Sequence, residues 1–201
     1  VASETRTEGD KRSRRRGAEL EEALLQATVD ELVERGYAQL TIDRVAQRAG
    51  TNKSVIYRRW PHRAALAFAA YRHFVAQPTA LPDTGDLRTD VLELLRGAAT
   101  RMESAVGGEI LRGMMSEMHA HPELFKHIRE ELAQEPGAMM TILGRAVARG
   151  EARPGSLRPR VATVPVVLLR QEFLMNPEAG ISEEILTEIV DQVFLPMVRL
   201  G

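Results

Sequence analysis

Residues 41–66, TIDRVAQRAGTNKSVIYRRWPHRAAL, decide how this chain folds. Ile42, Val45, Ala46 and Ala49 fall at i, i+3, i+4 and i+7, the apolar stripe of a two-turn helix. Gly50 follows, a residue that takes a left-handed turn without steric cost. Asn52 then offers an N-cap oxygen to a second short helix, which must stop before Pro61. That second helix has only Val55, Ile56 and Trp60 to bury, and it leaves Lys53, Ser54, Tyr57, Arg58 and Arg59 outside. Two short helices at a steep angle, the second outwardly basic, have the geometry that enters a DNA major groove.

Outward from this stretch the chain reads almost entirely helical. Leu25, Val29, Leu32 and Val33 stripe a first helix over about 19–35, stopped by Gly36. A helix over about 63–76 carries Leu66, Phe68, Ala69 and Ala70. Pro78, Pro82 and Gly85 mark 76–86 as a linker. Beyond it the pattern predicts helices near 87–105, 109–120, 122–149, 158–176 and 182–199. Pro136-Gly137 should break or kink the third of these and Pro165 the fourth, and 149–159 is a turn rich in Gly and Pro. No stretch alternates at period two, and no internal repeat is visible. The expected fold is all-α, an N-terminal three-helix bundle with the helix–turn–helix followed by a C-terminal helical domain. Residues 1–17 hold Lys11, Arg12, Arg14, Arg15 and Arg16 with nothing apolar to bury. They read as a disordered basic arm, either a solvated tail or a strand of charge lying along phosphates or in a minor groove. The expected division is therefore 1–17, 18–76 and 77–201.

Composition sets the outer bounds. A chain of 201 residues, 44% hydrophobic and 27% charged, is an ordinary globular protein with room for one large or two modest cores. The absence of cysteine excludes a disulfide scaffold, a thiolate zinc site and a cysteine nucleophile. The N-terminal residues are charged where a signal peptide would be apolar, and no apolar run nears the roughly 20 residues that span a bilayer. The expectation is a cytoplasmic protein without a membrane partner. The net charge of −1 is divided unevenly: residues 1–72 hold 14 Lys or Arg against 10 Asp or Glu, and the remainder 13 against 18. A positive N-terminal third attracts phosphates while an acidic remainder suppresses indiscriminate adhesion.

Leu24 to Leu66, with Gly36-Tyr37, Thr41-Ile42, Val45-Ala46, Ala49-Gly50, Tyr57 and the Trp60-Pro61 step at their family spacing, resembles the tetracycline-repressor (TetR) family. The strong match covers about a quarter of the chain; the remainder is similar only in length, helicity and order of elements. The resemblance implies a homodimer that regulates transcription at a palindromic double-stranded DNA operator, with a C-terminal domain serving as both ligand pocket and dimer interface. It also implies roles residue by residue. Thr41 opens the first helix of the motif and touches a phosphate, Lys53 and Ser54 approach base edges, and the Tyr57 hydroxyl reaches a phosphate. Arg63 lies by the backbone near the start of the next helix. Arg58-Arg59 is more basic than usual there and adds phosphate or guanine contacts. Thr51 stands at a turn position that is usually apolar, and His62 where a Ser or Asn cap is common.

Only 4% of residues are aromatic, so aliphatic side chains and eight methionines must build the core. Met102, Met114, Met115, Met118, Met139 and Met140 lie on helices that the resemblance places around a pocket. The candidate effector lining is Met102, Met115, Met118, Phe125, Leu143, Leu169 and Phe173, suited to a small hydrophobic or amphipathic molecule; the plain reading of each is core filler. Ile185, Ile189, Val193, Phe194 and Met197, with Ile181 and Val190, form a broad stripe on the last helix. That stripe fits a four-helix contact with a symmetry mate or packing onto its own domain. His119 and His121, two apart, do not share a helix face, so no metal is expected. No local signature of a catalytic triad, a phosphate loop or a paired carboxylate site is present, so neither enzyme activity nor a cofactor is expected. Two readings follow: a repressor released by a small hydrophobic effector, or an effector-independent architectural or partner-recruiting protein on DNA.

Overall fold

The computed structural model describes residues 4–74, 80–117, 137–176 and 178–199. Among these residues every regular element is helical and no strand occurs. The chain divides into two compact units, one of residues 1–77 with 109–124, the other of 78–108 with 125–201. One boundary between the units falls between residues 77 and 78.

In the N-terminal unit, α1 (Glu4–Arg35) packs against α2 (Ile42–Arg48) and α4 (Arg63–Phe74). The helix starts at Glu4 and runs on through the basic residues 11–16. Propensity allows this, because Glu, Lys and Arg favour helix even where no apolar stripe marks one. The stripe of α1 is also rotated from its expected position. Leu24, Leu25, Ala27, Thr28, Glu31 and Leu32 are buried, whereas Val33 is 59% exposed. Thr28 survives burial because its hydroxyl donates to the Leu24 carbonyl at 2.7 Å. Gly36 ends the helix at φ +74°, its N–H returning to the Leu32 carbonyl at 3.0 Å.

Two caps define the helix–turn–helix. Thr41 Oγ1 accepts the Arg44 N–H at 3.3 Å to start α2, and Asn52 Oδ1 accepts the Val55 N–H at 3.3 Å to start α3 (Lys53–Tyr57). Gly50 turns the chain between them at φ +64°. Ile42, Val45, Ala46 and Ile56 enter the core, while Val55 and Trp60 are half-buried. Ala64, Leu66, Ala67 and Ala70 of α4 complete it, and the small alanines allow close helix approach.

In the C-terminal unit, α5 (Leu87–Glu103) is capped by Asp86, whose carboxylate accepts the Thr89 N–H at 2.8 Å and the Thr89 hydroxyl at 2.6 Å. Asp90 is fully buried one turn later; its Oδ1 accepts the Thr84 N–H and hydroxyl, each at 2.7 Å, and Arg149 stands 3.6 Å from Oδ2. These bonds tie the linker to α5. The helix α6 (Ala105–Glu117) starts four residues earlier than expected, its residues 105–108 grouping with this unit and 109–117 with the N-terminal one. A Cβ on Gly107 would fall 1.9 Å from the Arg101 carbonyl oxygen, so only glycine permits that approach. Beyond α6, α7 (Ala138–Arg149) ends at Gly150, φ +79°. The rest of the predicted 122–149 helix, Pro136, His119 and His121 lie outside the described residues. Then α8 (Pro159–Met175) runs through Pro165 as one helix. Glu183–Glu188, a π-helical segment Ile189–Phe194, and Leu195–Val198 follow one another as α9. The widened register sits just ahead of Pro196, which has no N–H to offer the Gln192 carbonyl and whose ring would crowd it.

Candidate nucleic-acid interface

A five-residue helix cannot hold itself together. α3 is held by its Asn52 cap, by Ile56 with no exposed surface, and by the half-buried Val55. With that side anchored, Lys53, Ser54, Tyr57 and Arg58 are exposed together, Tyr57 at 49%. Lys53 Nζ lies 3.4 Å from Asp43 Oδ1 on α2, both groups well exposed. Thr41, exposed beside them, uses a lone pair for its cap and retains a hydroxyl proton to donate.

Two of the candidate cations sit differently. Arg59 donates from Nη2 to the Gly17 carbonyl at 3.3 Å and stands 3.7 Å from Glu21, both on α1. Arg63 is half-buried, its guanidinium 5.2 Å from the centroid of the Tyr37 ring and its Nη1 3.5 Å from the Leu40 carbonyl. Both side chains brace the head that α3 belongs to. Arg48, which sequence reading passed over, joins α2 to α1. Its Nε donates to the buried Glu31 at 3.0 Å and its Nη1 to Glu34 at 2.7 Å, with Asp30 at 3.8 Å. The hydrogen bond from Arg48 holds the Glu34 carboxyl below its ordinary range, and the Arg48 guanidinium is shifted up in turn. Nothing in the sequence marked this brace, since Glu31 falls on the buried face only once that face is known to run through positions 24, 27, 28 and 31. Asp43 was also missed, and an acid in the first turn of α2 gave no hint of its partner. A cleft of about 320 Å³ beside Arg48 is lined by Glu31, Arg35, Arg44, Gln47 and Arg48.

The C-terminal candidates separate. Met102, Leu143, Leu169 and Phe173 are all buried in the C-terminal unit, none more than 9% exposed. Met115 is 37% exposed and belongs to the N-terminal unit, and Met118 and Phe125 lie outside the described residues. Of the stripe on α9, Ile185, Val193 and Met197 are half-buried. Ile189 at 7% and Phe194 at 0% are core of their own unit. A side chain enclosed by its own helices has little area left to offer a partner. On α8, Val167 and Met175 are exposed at 44% and 67%. A second cleft, about 430 Å³, is acidic, with Glu183, Glu184, Glu188 and Asp191 in its lining.

An all-helical chain whose short, basic helix is presented from a capped helix–turn–helix is a DNA-binding protein of the helix–turn–helix class. Residues 24–70 match the family described as bacterial regulatory proteins, tetR family, and residues 81–193 the tetracyclin repressor-like C-terminal domain. The chain belongs to the TetR family of transcriptional regulators. It is 31% identical to the DNA-binding transcriptional repressor TetR of Mycobacteroides abscessus, over 92% of this chain and 97% of that one. It is also 31% identical to an uncharacterised HTH-type transcriptional regulator of Mycobacterium tuberculosis, over 88% of this chain and 86% of the relative. The crystal structure of the TetR family transcription regulator SCO0332 superposes with a TM-score of 0.73 at 29% identity, covering 90% of this chain and all 100% of that one. Among the described residues no helix is long and apolar enough to cross a membrane.

Proposed function

We propose that this regulator is a homodimeric, sequence-specific repressor that binds a palindromic operator and is released from it by a small hydrophobic effector. The observation that carries the reading is the exposed face of α3, where Lys53, Ser54, Tyr57 and Arg58 surround one buried anchor, Ile56. Lys53 and Ser54 approach base edges; the hydroxyls of Tyr57 and Thr41 and the Arg58 guanidinium take phosphates, fixing register while the bases specify. Repression rather than activation is supported by the name of the Mycobacteroides relative. The partly exposed Ile185, Val193 and Met197, with Val167 and Met175, are the surface offered to a second copy. Two recognition helices then meet successive major-groove faces about 34 Å apart. Met102, Leu143, Leu169 and Phe173 are the side chains an effector would displace. By linkage, effector and operator weaken each other's binding by one common factor. The work is done in the cytoplasm, where the DNA is.

One observation favours the alternative, a DNA-bound protein without an effector: those four side chains are buried as ordinary core residues are. Selection of bound sites from a random DNA library tests the DNA half. Palindromic sites are expected, and their absence would remove the operator reading. An apolar metabolite that raises the melting temperature and dissociates the selected complex supports release, whereas stabilisation without dissociation points to the alternative.

A further inference from the structure

The reading head has a third point of support outside the helix–turn–helix. Tyr37 is 3% exposed in the short connection between α1 and α2. Its N–H donates to Glu109 Oε2 of α6 at 2.9 Å. A Cβ on Gly36 would come 2.9 Å from that same oxygen. A Cβ on Gly113, one turn further along α6, would fall 2.1 Å from two carbons of the Tyr37 ring. Gly113 is therefore a seat for the ring, and the absent side chain is what makes room for it. Arg63, the first residue of α4, holds its guanidinium over the same ring.

Tyr37 thus touches both approaches to the reading helix. It lies four residues ahead of the Thr41 cap, on the way into α2, and through Arg63 it contacts the start of α4, on the way out of α3. We propose that Glu109 and Gly113 are positioning residues for DNA reading, acting through Tyr37. The inference rests on the proposal that α3 reads DNA. Helices of seven and five residues take their geometry from what they lean on, and base readout tolerates misplacement of only about 0.5 Å. The Tyr37 N–H also holds the Glu109 carboxyl below its ordinary range, with Arg112 at 3.2 Å assisting, so Glu109 accepts as a carboxylate at neutral pH.

The test uses the full chain and the operator it selects. Glu109→Ala and Gly113→Ala are each expected to weaken operator binding roughly tenfold or more, about what one base mismatch costs. In both variants the active fraction from stoichiometric titration, the affinity for random DNA and its salt slope should stay unchanged. Glu109→Gln, whose amide oxygen still accepts the Tyr37 N–H, should recover most of the affinity. A loss of melting temperature or active fraction with an unchanged operator Kd would make the contact merely structural and overturn the proposal. Should Gly113→Ala fail to fold, the comparison of Glu109→Ala with Glu109→Gln decides alone. A Lys53→Ala/Tyr57→Phe variant runs beside them. If it is impaired while the Glu109 and Gly113 variants bind normally, this inference alone falls; if it binds at full strength, the reading head itself is misassigned and this inference falls with it.

Discussion

Lys53 and Arg59 carry the same charge six residues apart, yet their surroundings give them different work. Among the described residues Lys53 pairs with an exposed carboxylate, a contact that salt and a phosphate both weaken. Its replacement by Ala should leave the melting curve unchanged and relax base preference at one position of each half-site, which binding to a panel of single-base operator variants reads directly. Arg58→Ala should lower affinity for all sequences alike and reduce the salt slope by about one. Arg59 is held by Gly17 and Glu21, so Arg59→Ala should change the salt slope less than Arg58→Ala does. Equal slopes for the two variants would show that Arg59 leaves α1 to reach a phosphate. The sequence had shown which of these residues face outward, through the spacing of Val55 and Ile56. It was silent on which outward cations were already engaged, because their partners Gly17 and Glu21 lie some forty positions away on a helix whose buried face was misjudged.

At the scale of elements, the helix–turn–helix depends on its caps and on Arg48. Asn52→Ala removes the bond that starts α3 and should cost about 1 kcal/mol in a urea melt. Gly50→Ala places a Cβ at φ +64° and should cost about 1–2 kcal/mol, although no neighbour would meet the added carbon. Arg48→Met leaves the buried Glu31 with only Arg35, at 3.6 Å. It should destabilise the protein more than Glu34→Gln does, and adding Glu31→Gln should recover part of the loss. Strict additivity of the two would remove the brace from the account. Caps, the Gly50 turn and most helix boundaries were legible because each is set by residues within four positions of one another. The start of α1 was not, since its charged first half gives no apolar stripe and only propensity argues for helix. The π-helical segment was likewise invisible to periodicity, although Pro196 was in plain view.

For the molecule as a whole, several carboxylates lie below their ordinary range: Asp86 through the Thr89 hydroxyl and N–H, Asp191 through Arg88, Glu183 through Arg96, and Glu109 through the Tyr37 N–H. A carboxyl depressed by folding contributes stability that is fully present above its unfolded value and is lost as pH falls through the folded one. The ordinary values here are 3.8 and 4.5. The melting temperature should therefore be level at neutral pH and fall progressively below about pH 4.5. A melting temperature that rises on acidification would reverse the sign. The proposed dimer makes a second prediction at this scale. Val193→Glu or Met197→Glu should give folded monomers in sedimentation, whereas Phe194→Glu should unfold the chain, because Phe194 is enclosed by its own unit. The sequence carried the apolar band of α9 but could not say which part was claimed internally, since burial by one's own helices and by a partner's leave the same periodicity.

The helix α3 keeps a single fully buried side chain, Ile56, and it turns Lys53, Ser54 and Tyr57 outward, with Arg58 at its C-cap exposed beside them. Replacing the outward residues therefore alters what is recognised with little penalty in folding, and the brace at Arg48 stays in place. If this head reads DNA as proposed, it can change its target by drift: substitutions at the exposed positions 53, 54, 57 and 58 meet little resistance from folding, and the fit to an operator is what restrains them. Descendants of this chain would then diverge in the sites they regulate long before their architecture does, and the same tolerance makes those four positions the place to begin an engineered change of operator.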